Sequence, residues 1–249
     1  MKLINITKEN IAYEHICCMM SDAKGENSVE SKKNWLTNRF DDGLVFLRGE
    51  ERGKIFIEYI PAEKAWFPIE AEGYMHINCL WVSGKFKGTG LGGLLLQSCI
   101  DDAKAKGKKG LTVISSKKKM AFLSDPKFLK YKGFITADTA FNGIELMYLP
   151  FESDAPIPKF KDCARSGKIE QKGYVLYYTN QCPFTAKYVP VIEKIAAEKS
   201  VELIVHKLET VDEAQNCPSP CTTYSLFVDG EFYTNEIQSD KKFEELITK

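Results

Sequence analysis

The residues best suited to chemistry form a glycine-rich turn between positions 87 and 93. Four of six consecutive residues there are glycine, namely Gly88, Gly90, Gly92 and Gly93. Without side chains, successive backbone N–H groups can point at one anion, and the positive end of a helix that starts there adds to the attraction. A diphosphate is the ligand that such a turn favours.

Glycine clusters also mark flexible turns and close packing of a helix on a sheet, and other nucleotide sites use them too. A dinucleotide site needs a parallel strand-helix-strand unit at the start of its domain, whereas several antiparallel strands precede this turn. An ATP-type loop ends in Gly-Lys-Ser or Gly-Lys-Thr, and the sequence contains neither tripeptide. The surrounding elements must therefore decide what the turn binds.

Apolar periodicity predicts that a strand enters the turn and a helix leaves it. Leu91, Leu95 and Cys99 recur at four-residue spacing, which gives a helix a broad apolar face to pack against a sheet. Alternating segments before the turn indicate antiparallel strands. The elements expected here are a mainly helical block at 4–40, strands at 44–47, 54–60 and 74–82, a helix at 88–106, a strand at 110–115, a helix leading to 131–134 and a last strand at 143–149.

The length and the element order predict two domains. A chain of 249 residues exceeds the size of most single cores. Residues 1–150 form the first domain, residues 151–172 lack periodicity and form a linker, and residues 173–249 form the second domain. The elements expected in the second domain are a strand at 174–178, a helix at 183–199, a strand at 201–208, a short helix, strands at 223–228 and 231–234, and a closing helix from 239.

The charge and the apolar runs exclude some partners. Thirty-four basic residues balance thirty-four acidic ones, so the net field gives no reason to expect nucleic acid or an anionic membrane surface. Apolar runs stop well before the roughly 20 residues of a membrane span, and the first ten residues lack the apolar core of a signal peptide. We expect a cytoplasmic protein.

The cysteines are expected to be reduced thiols. The chain has eight, it is large enough to fold without staples, and the adjacent Cys17 and Cys18 could hardly form a useful bridge. The three histidines lie far from any pair of cysteines at zinc-binding spacing. No metal site is expected.

The turn and its flanks resemble the GNAT superfamily of N-acetyltransferases. The run Lys87-Gly88-Thr89-Gly90-Leu91-Gly92 is similar to the family's Gln/Arg-x-x-Gly-x-Gly/Ala motif, with lysine where glutamine or arginine is usual. Phe128 with Gly133-Phe134 resembles a second family signature. The stretches FIEYIPAEKAW, CLWVSGKFKGTG and YYTNQCPFT resemble YoaP-like proteins, in which a thioredoxin-like domain follows the GNAT domain.

The resemblance implies a fold, a co-substrate and a reaction. The fold is α/β (α+β), a mixed, mostly antiparallel sheet flanked by helices, plus a small thioredoxin-like domain. Two central strands separate, and the acetyl-CoA co-substrate binds between them and donates its acetyl group to a small-molecule amine by direct attack in a ternary complex. The expected cofactor-binding residues are Leu80, Trp81, Val82, Lys87, Gly88, Thr89, Gly90, Leu91, Gly92, Gly93 and Ser116.

Acyl transfer to an amine also needs a base and an acid. Glu58 is the first candidate base because strand alternation sets it among apolar residues, and His76, expected to share a strand face with Asn78 and Leu80, is the second. A simple pairing of Glu58 with a lysine and a buried structural role for His76 remain open. The usual acid position carries Leu129, so Tyr131 is a substitute candidate, with a core or surface role as the alternative.

Further residues near the expected site have two interpretations. Glu63, Glu70 and Glu72 are candidate carboxylates for the acceptor. The lysine run 117–119 could approach the ribose phosphate of coenzyme A or form a solvated surface. Trp66 could wall the acceptor pocket or serve packing.

The second domain carries a candidate reactive thiol. Its order of elements resembles the thioredoxin fold, and Cys182 occupies the start of a helix, which lowers the pKa of a thiol. Thr185 replaces the second cysteine, so a redox role would use a single thiol, resolved by Cys217 or Cys221. The alternative function is thus a single-thiol redox or binding protein with a CoA-sensing GNAT domain. Otherwise the second domain has a structural role, mediates dimerisation or shapes the substrate site, and a homodimer is compatible with this. A third alternative is that the whole protein is a non-catalytic interaction protein.

Overall fold

The computed structural model describes residues 1–16 and 18–248, so Cys17 of the expected thiol pair lies outside the described residues. The described chain forms a large sheet, a smaller sheet and a two-stranded ribbon. None of its helices is long and apolar enough to cross a lipid bilayer.

Thirteen strands and six α-helices follow one another in the described chain. The strands are β1 (Leu3–Ile6), β2 (Val45–Gly49), β3 (Ile55–Pro61), β4 (Ile69–Glu70), β5 (Tyr74–Val82), β6 (Gly110–Ser116), β7 (Ile135–Thr139), β8 (Ile144–Pro150), β9 (Lys159–Phe160), β10 (Tyr174–Tyr178), β11 (Leu203–Lys207), β12 (Tyr224–Val228) and β13 (Glu231–Thr234). The helices are α1 (Ser28–Arg39), α2 (Leu91–Ala105), α3 (Pro126–Tyr131), α4 (Pro183–Glu198), α5 (Val211–Gln215) and α6 (Asp240–Ile247).

The large sheet has the strand order β1-β2-β3-β5-β6-β8-β7. Its neighbours are antiparallel except β5 and β6, which are parallel. Helix α2 covers one face, where Leu95 and Cys99 are fully buried in the core with Ile57 and Val113. This mixed, mostly antiparallel sheet flanked by helices confirms the expected fold class of the first part of the chain.

The prediction of a mainly helical block at 4–40 is wrong for the residues before 28. Residues Leu3–Ile6 form β1, which pairs antiparallel with β2 at the edge of the sheet. Helix begins only at Ser28. Four residues are too few for an alternating pattern to outweigh the three- and four-residue spacing of the apolar residues that follow, and the pairing partner of β1 lies about 40 residues away.

The second sheet has the order β11-β10-β12-β13. β10 and β11 are parallel, and the remaining neighbours are antiparallel. The strand-helix-strand and hairpin-helix order expected from the sequence is present. The thioredoxin-like assignment itself stays a prediction.

The two parts of the chain pack firmly against each other. The hydroxyl of Thr222 donates a 2.5 Å hydrogen bond to the carbonyl of Trp66, and the Gln215 side-chain amide donates to the carbonyl of Ala65 at 3.0 Å. One buried apolar cluster continues from the large sheet into the second part, where it includes Cys217 and Cys221. The expected linker also contributes, because its strand β9 pairs with β4.

Candidate active site

The parallel strands β5 and β6 run side by side only at their amino ends. Tyr74–Ile77 pair with Gly110–Val113. Farther along, β5 pairs with β3 alone and β6 with β8. The strands therefore separate, and the edge of β5 at residues 80–82 faces the gap. Backbone N–H and C=O groups on a free strand edge can bond an extended ligand.

The gap begins at a bulge in β5. Glu58 of β3 pairs with Cys79, but the next residue, Tyr59, pairs with Ile77, so Asn78 has no partner across the strands. One extra residue in a strand turns every following side chain over to the opposite face of the sheet.

The prediction that His76 and Leu80 share a strand face is wrong for this reason, because it assumed unbroken alternation. Cys79 packs with the core on the His76 side of the sheet. Leu80 packs instead with the core beneath α2.

The glycine turn holds an open backbone. Gly88 and Gly90 have φ of 80° and 84°, the left-handed region that favours glycine, and a Cβ at either position would meet no atom within 4 Å. Helix α2 therefore starts at Leu91, three residues later than expected. In the described chain the backbone N–H groups of Gly88, Gly90, Leu91 and Gly92 donate to no protein acceptor.

The remaining N–H groups of the turn are engaged. Those of Lys87 and Thr89 donate to the carbonyls of Gly84 and Phe86, at 3.2 and 3.4 Å, and that of Gly93 donates to its own turn. The side chain of Lys87 is exposed. Four of the seven amides expected to grip an anion are thus available to do so.

Basic side chains surround α3, the helix that flanks the turn. The ring of Phe128 on α3 lies 3.5 Å from the position of a Cβ on Gly92, so α3 flanks the start of α2. Beside α3 lies a pocket of about 490 Å³. Its lysines are Lys117, Lys118, Lys119, Lys127 and Lys130.

A second cavity, of about 450 Å³, lies at the strand gap and is lined by both parts of the chain. From the large sheet come residues of β3, β5 and β6, among them Glu58 and His76. From the second part come Gln181, Cys182 and Phe184 at the start of α4, and residues before β12. Most of the lining is apolar, as in small-molecule sites.

Glu58 is held in a buried network. Lys32 of α1 donates to one carboxylate oxygen at 2.5 Å, and the Asn78 side-chain amide donates to the other at 2.9 Å. Both ionic side chains are 1% exposed. The lysine pairing left open by the sequence is therefore real, and it coexists with a position on the cavity wall.

His76 is buried on the same wall. Its Nδ1 lies 2.9 Å from the Thr112 hydroxyl, and its Nε2 is buried without a hydrogen-bond partner. Burial lowers the pKa of His76 to about 3. The ring is therefore neutral at physiological pH, and its Nε2 is available to form a hydrogen bond with a ligand or water.

Comparison with known proteins agrees with this geometry. Residues 10–122 match the acetyltransferase (GNAT) family model, and residues 203–245 match the YoaP-like family model. The chain is 46% identical to YoaP of Bacillus subtilis (strain 168), named as an uncharacterized N-acetyltransferase, over 98% of this chain and 97% of that protein. The chain belongs to the GNAT acetyltransferase family. It is accordingly an acyltransferase with a YoaP-like carboxyl-terminal part.

Solved GNAT structures resemble about two thirds of this GNAT protein. YhbS from Escherichia coli in complex with CoA is 12% identical, with 65% of this chain and 89% of that chain covered and a TM-score of 0.43. YncA from Salmonella typhimurium with acetyl-CoA is 16% identical, with coverages of 62% and 96% and a TM-score of 0.43.

Two predicted site residues of this GNAT protein lie away from the cavity lining. Tyr131, the substitute acid candidate, is 83% exposed. The hydroxyl of Ser116 is buried and donates to the carbonyl of Lys118 at 2.7 Å, so it supports the turn that carries the lysines. The geometry gives neither side chain a direct contact with a ligand in the cavity.

The other acceptor-site candidates of this GNAT protein have structural partners. Glu63 pairs with Lys108 at 3.3 Å, and Glu70 pairs with Lys159 across the β4–β9 ribbon at 3.0 Å. Trp66 is buried edge-on against another tryptophan, with ring centroids 4.4 Å apart. Neither these residues nor Glu72 line the cavity. These surroundings agree with a packing role for Trp66.

Cys182 lies at the N-cap of α4, as expected, but its pKa is shifted in the opposite direction. Burial raises the pKa of Cys182 to about 11, and this outweighs the backbone N–H groups of Phe184 and Thr185. The prediction of a lowered thiol pKa is wrong because it considered the helix end without the desolvation by the residues packed around the thiol.

Alkylation of Cys182 by iodoacetamide at pH 8 is therefore expected to be at least about tenfold slower than that of the exposed Cys163, because only a small fraction of Cys182 is thiolate. Peptide mass spectrometry of a time course gives both rates. The control is protein unfolded in urea, where the two thiols should react alike. Equal or faster labelling of folded Cys182 would restore the reactive-thiol hypothesis.

Several residues of the site were missed by the sequence analysis. Lys32 comes from a helix with no recognisable motif, and only the fold brings it to Glu58. The sequence did offer a signal for Gln181, because this residue directly precedes Cys182 within the stretch that resembles YoaP-like proteins. Its position on the cavity wall depends on the docking of the two parts, which the sequence did not reveal.

Proposed function

We propose that the protein transfers an acetyl group from acetyl-CoA to a small-molecule amine, which attacks the thioester directly in a ternary complex. Family membership supports the acetyl transfer. The observation that carries the proposal is the set of four unpaired backbone N–H groups at the start of α2, beside the gap between β5 and β6.

The diphosphate of acetyl-CoA would accept hydrogen bonds from these N–H groups, and the positive end of α2 would favour its charge. The lysine pocket beside α3 would take the ribose phosphate. The pantetheine arm would lie along the free edge of β5 at residues 80–82, which brings the thioester to the cavity that holds Glu58.

Glu58 would accept the proton of the attacking amine, since it is the carboxylate among the described residues that line the cavity. The bonds from Lys32 and Asn78 hold this carboxylate in one orientation. In direct transfer the amine loses one proton and the departing thiolate gains one, so Glu58 can pass the proton on. Neutral His76 would hydrogen-bond a ligand or water in the cavity through Nε2.

Gly90→Ala tests the anion-binding turn. A Cβ in the left-handed region strains the turn by about 1–2 kcal/mol and moves the N–H groups that face the diphosphate. We expect acetyl-CoA to bind at least about tenfold more weakly, as measured by titration calorimetry.

Gly107→Ala is the matched control, because Gly107 follows the opposite end of α2, has φ of 65° and also has no atom within 4 Å of its Cβ position. It should lose comparable stability and keep its affinity for acetyl-CoA. Equal affinities of the two variants would remove the turn from the binding site, and absence of acetyl-CoA binding to the unmodified protein would overturn the proposed function.

A further inference from the structure

The cavity at the strand gap contains buried polar atoms that no protein group satisfies. They are Nε2 of His76, Oε1 of Gln181, Oδ1 of Asn78 and the hydroxyl oxygen of Tyr224. His76 is fully buried and Gln181 is 6% exposed. Buried polar atoms in folded proteins nearly always have partners, so four of them on residues of one cavity point to a ligand that supplies hydrogen bonds.

The second part of the chain forms one side of this cavity. The side-chain amide of Asn235 donates to the carbonyl of Ala121 at 2.7 Å, and the rings of Phe122 and Phe184 meet edge to face, 6.5 Å between centroids. The segment 119–124 that follows β6 is thus tied to the second part at the cavity wall. A site of about 450 Å³ suits a compact molecule rather than a protein chain.

The ionic groups of the cavity are already paired. Lys32 neutralises Glu58 in the interior, and Lys119 on the wall pairs with Asp125 at 3.4 Å, where it is 74% exposed. A second ammonium group or a carboxylate on the acceptor would be buried without a counter-ion, which is strongly unfavourable. The cavity therefore selects against polyamines and amino acids.

Aromatic rings stand on both sides of the cavity. Phe56, Phe67 and Trp81 line the cavity from the first part of the chain, and Phe122 and Phe184 line it at the contact between the parts. Aromatic walls favour an aromatic ligand through edge-to-face and offset-stacked contacts.

We infer that the YoaP-like part forms half of the acceptor site, and that Gln181 selects a compact arylalkyl monoamine that carries a hydrogen-bond donor. This inference rests on the proposed function, since the amine would be the acetyl acceptor. The donor group bonds Oε1 of Gln181, while the amine reaches the carboxylate of Glu58.

The test compares two amines that differ by one hydroxyl group, tyramine and phenethylamine, with acetyl-CoA and the full chain. We expect kcat/KM for tyramine to exceed that for phenethylamine by about tenfold, because phenethylamine leaves Gln181 without its partner. We expect spermidine, glycine and a peptide with a free amino terminus to react at least about tenfold more slowly than tyramine. Equal rates for the two arylalkyl amines, or faster reaction of any of the other three, would overturn the inference.

Gln181→Met keeps the length of the side chain and removes its acceptor. We expect this variant to lose the tyramine preference through a higher KM for tyramine, with the acetyl-CoA affinity unchanged as a check on folding. The matched control is Gln171→Met, which alters an exposed glutamine just before the second part of the chain. Retention of the tyramine preference in Gln181→Met would overturn the role of Gln181.

The two proposals fail in different ways. Calorimetry of tyramine with the acetyl-CoA-free protein measures the pocket directly. Tyramine binding that depends on Gln181, without acetyl-CoA binding, would keep the pocket and remove the proposed reaction. Acetyl-CoA binding without tyramine binding would keep the co-substrate and overturn the inferred acceptor class.

Discussion

Lys32→Met is expected to lower the free energy of unfolding by about 3–5 kcal/mol, because it leaves the buried carboxylate of Glu58 without its cation. Lys32 and Glu58 are each 1% exposed, so the carboxylate would stay poorly hydrated after the partner is lost. Urea denaturation followed by circular dichroism measures the loss.

The double variant Lys32→Met, Glu58→Gln should recover most of this stability, since no buried charge remains and the carbonyl of the introduced amide can still accept from Asn78. Lys168→Met is the surface control, because Lys168 and Glu231 are 65% and 64% exposed and such pairs contribute about 0–1 kcal/mol. A loss below about 1 kcal/mol in Lys32→Met would mean that Glu58 is not held as a buried ion pair.

Glu58→Gln is expected to reduce kcat by about 100-fold or more, because the substituted amide cannot accept the proton of the amine. The affinity for acetyl-CoA should stay the same, since Glu58 lies on the cavity wall and the anion-binding turn lies at the start of α2. Steady-state kinetics with tyramine and calorimetry with acetyl-CoA measure the two quantities.

The nature of the amine separates a proton acceptor from a merely structural residue. An arylamine is neutral at pH 7 and needs less help from a base, so the effect of Glu58→Gln should shrink with such a substrate. The same reduction for arylamines and alkylamines would assign Glu58 a structural role. Full activity of Glu58→Gln toward tyramine would remove it from the mechanism.

The central part of the fold was predictable from local patterns. Strands β3 and β5 and helix α2 carry clear alternation or four-residue spacing, so their existence and their order followed from the sequence. Strand β1 could not be predicted in this way, because its four residues pair only with β2, which follows about 40 residues later in the chain. Strand β7 was missed as well, since its residues are mostly exposed and give no apolar pattern.

The candidate site was predictable where motifs carry it. The glycine turn was recognisable because positive φ at Gly88 and Gly90 demands glycine. The bulge at Asn78 left no local signal, so the side chains beyond it were assigned to the wrong faces. The raised pKa of Cys182 depends on burial between two parts of the chain, which only tertiary structure reveals.

The bond from Thr222 to the carbonyl of Trp66 and the apolar cluster around it also bear on how such a protein can evolve. A gene shortened before the second sheet would encode a product that exposes the apolar surface of this cluster to water. Replacing either half with the corresponding half of a distant relative would bring together two surfaces that do not fit each other. We therefore expect the two halves to be inherited together, and a change on one side of the contact to favour a compensating change on the other.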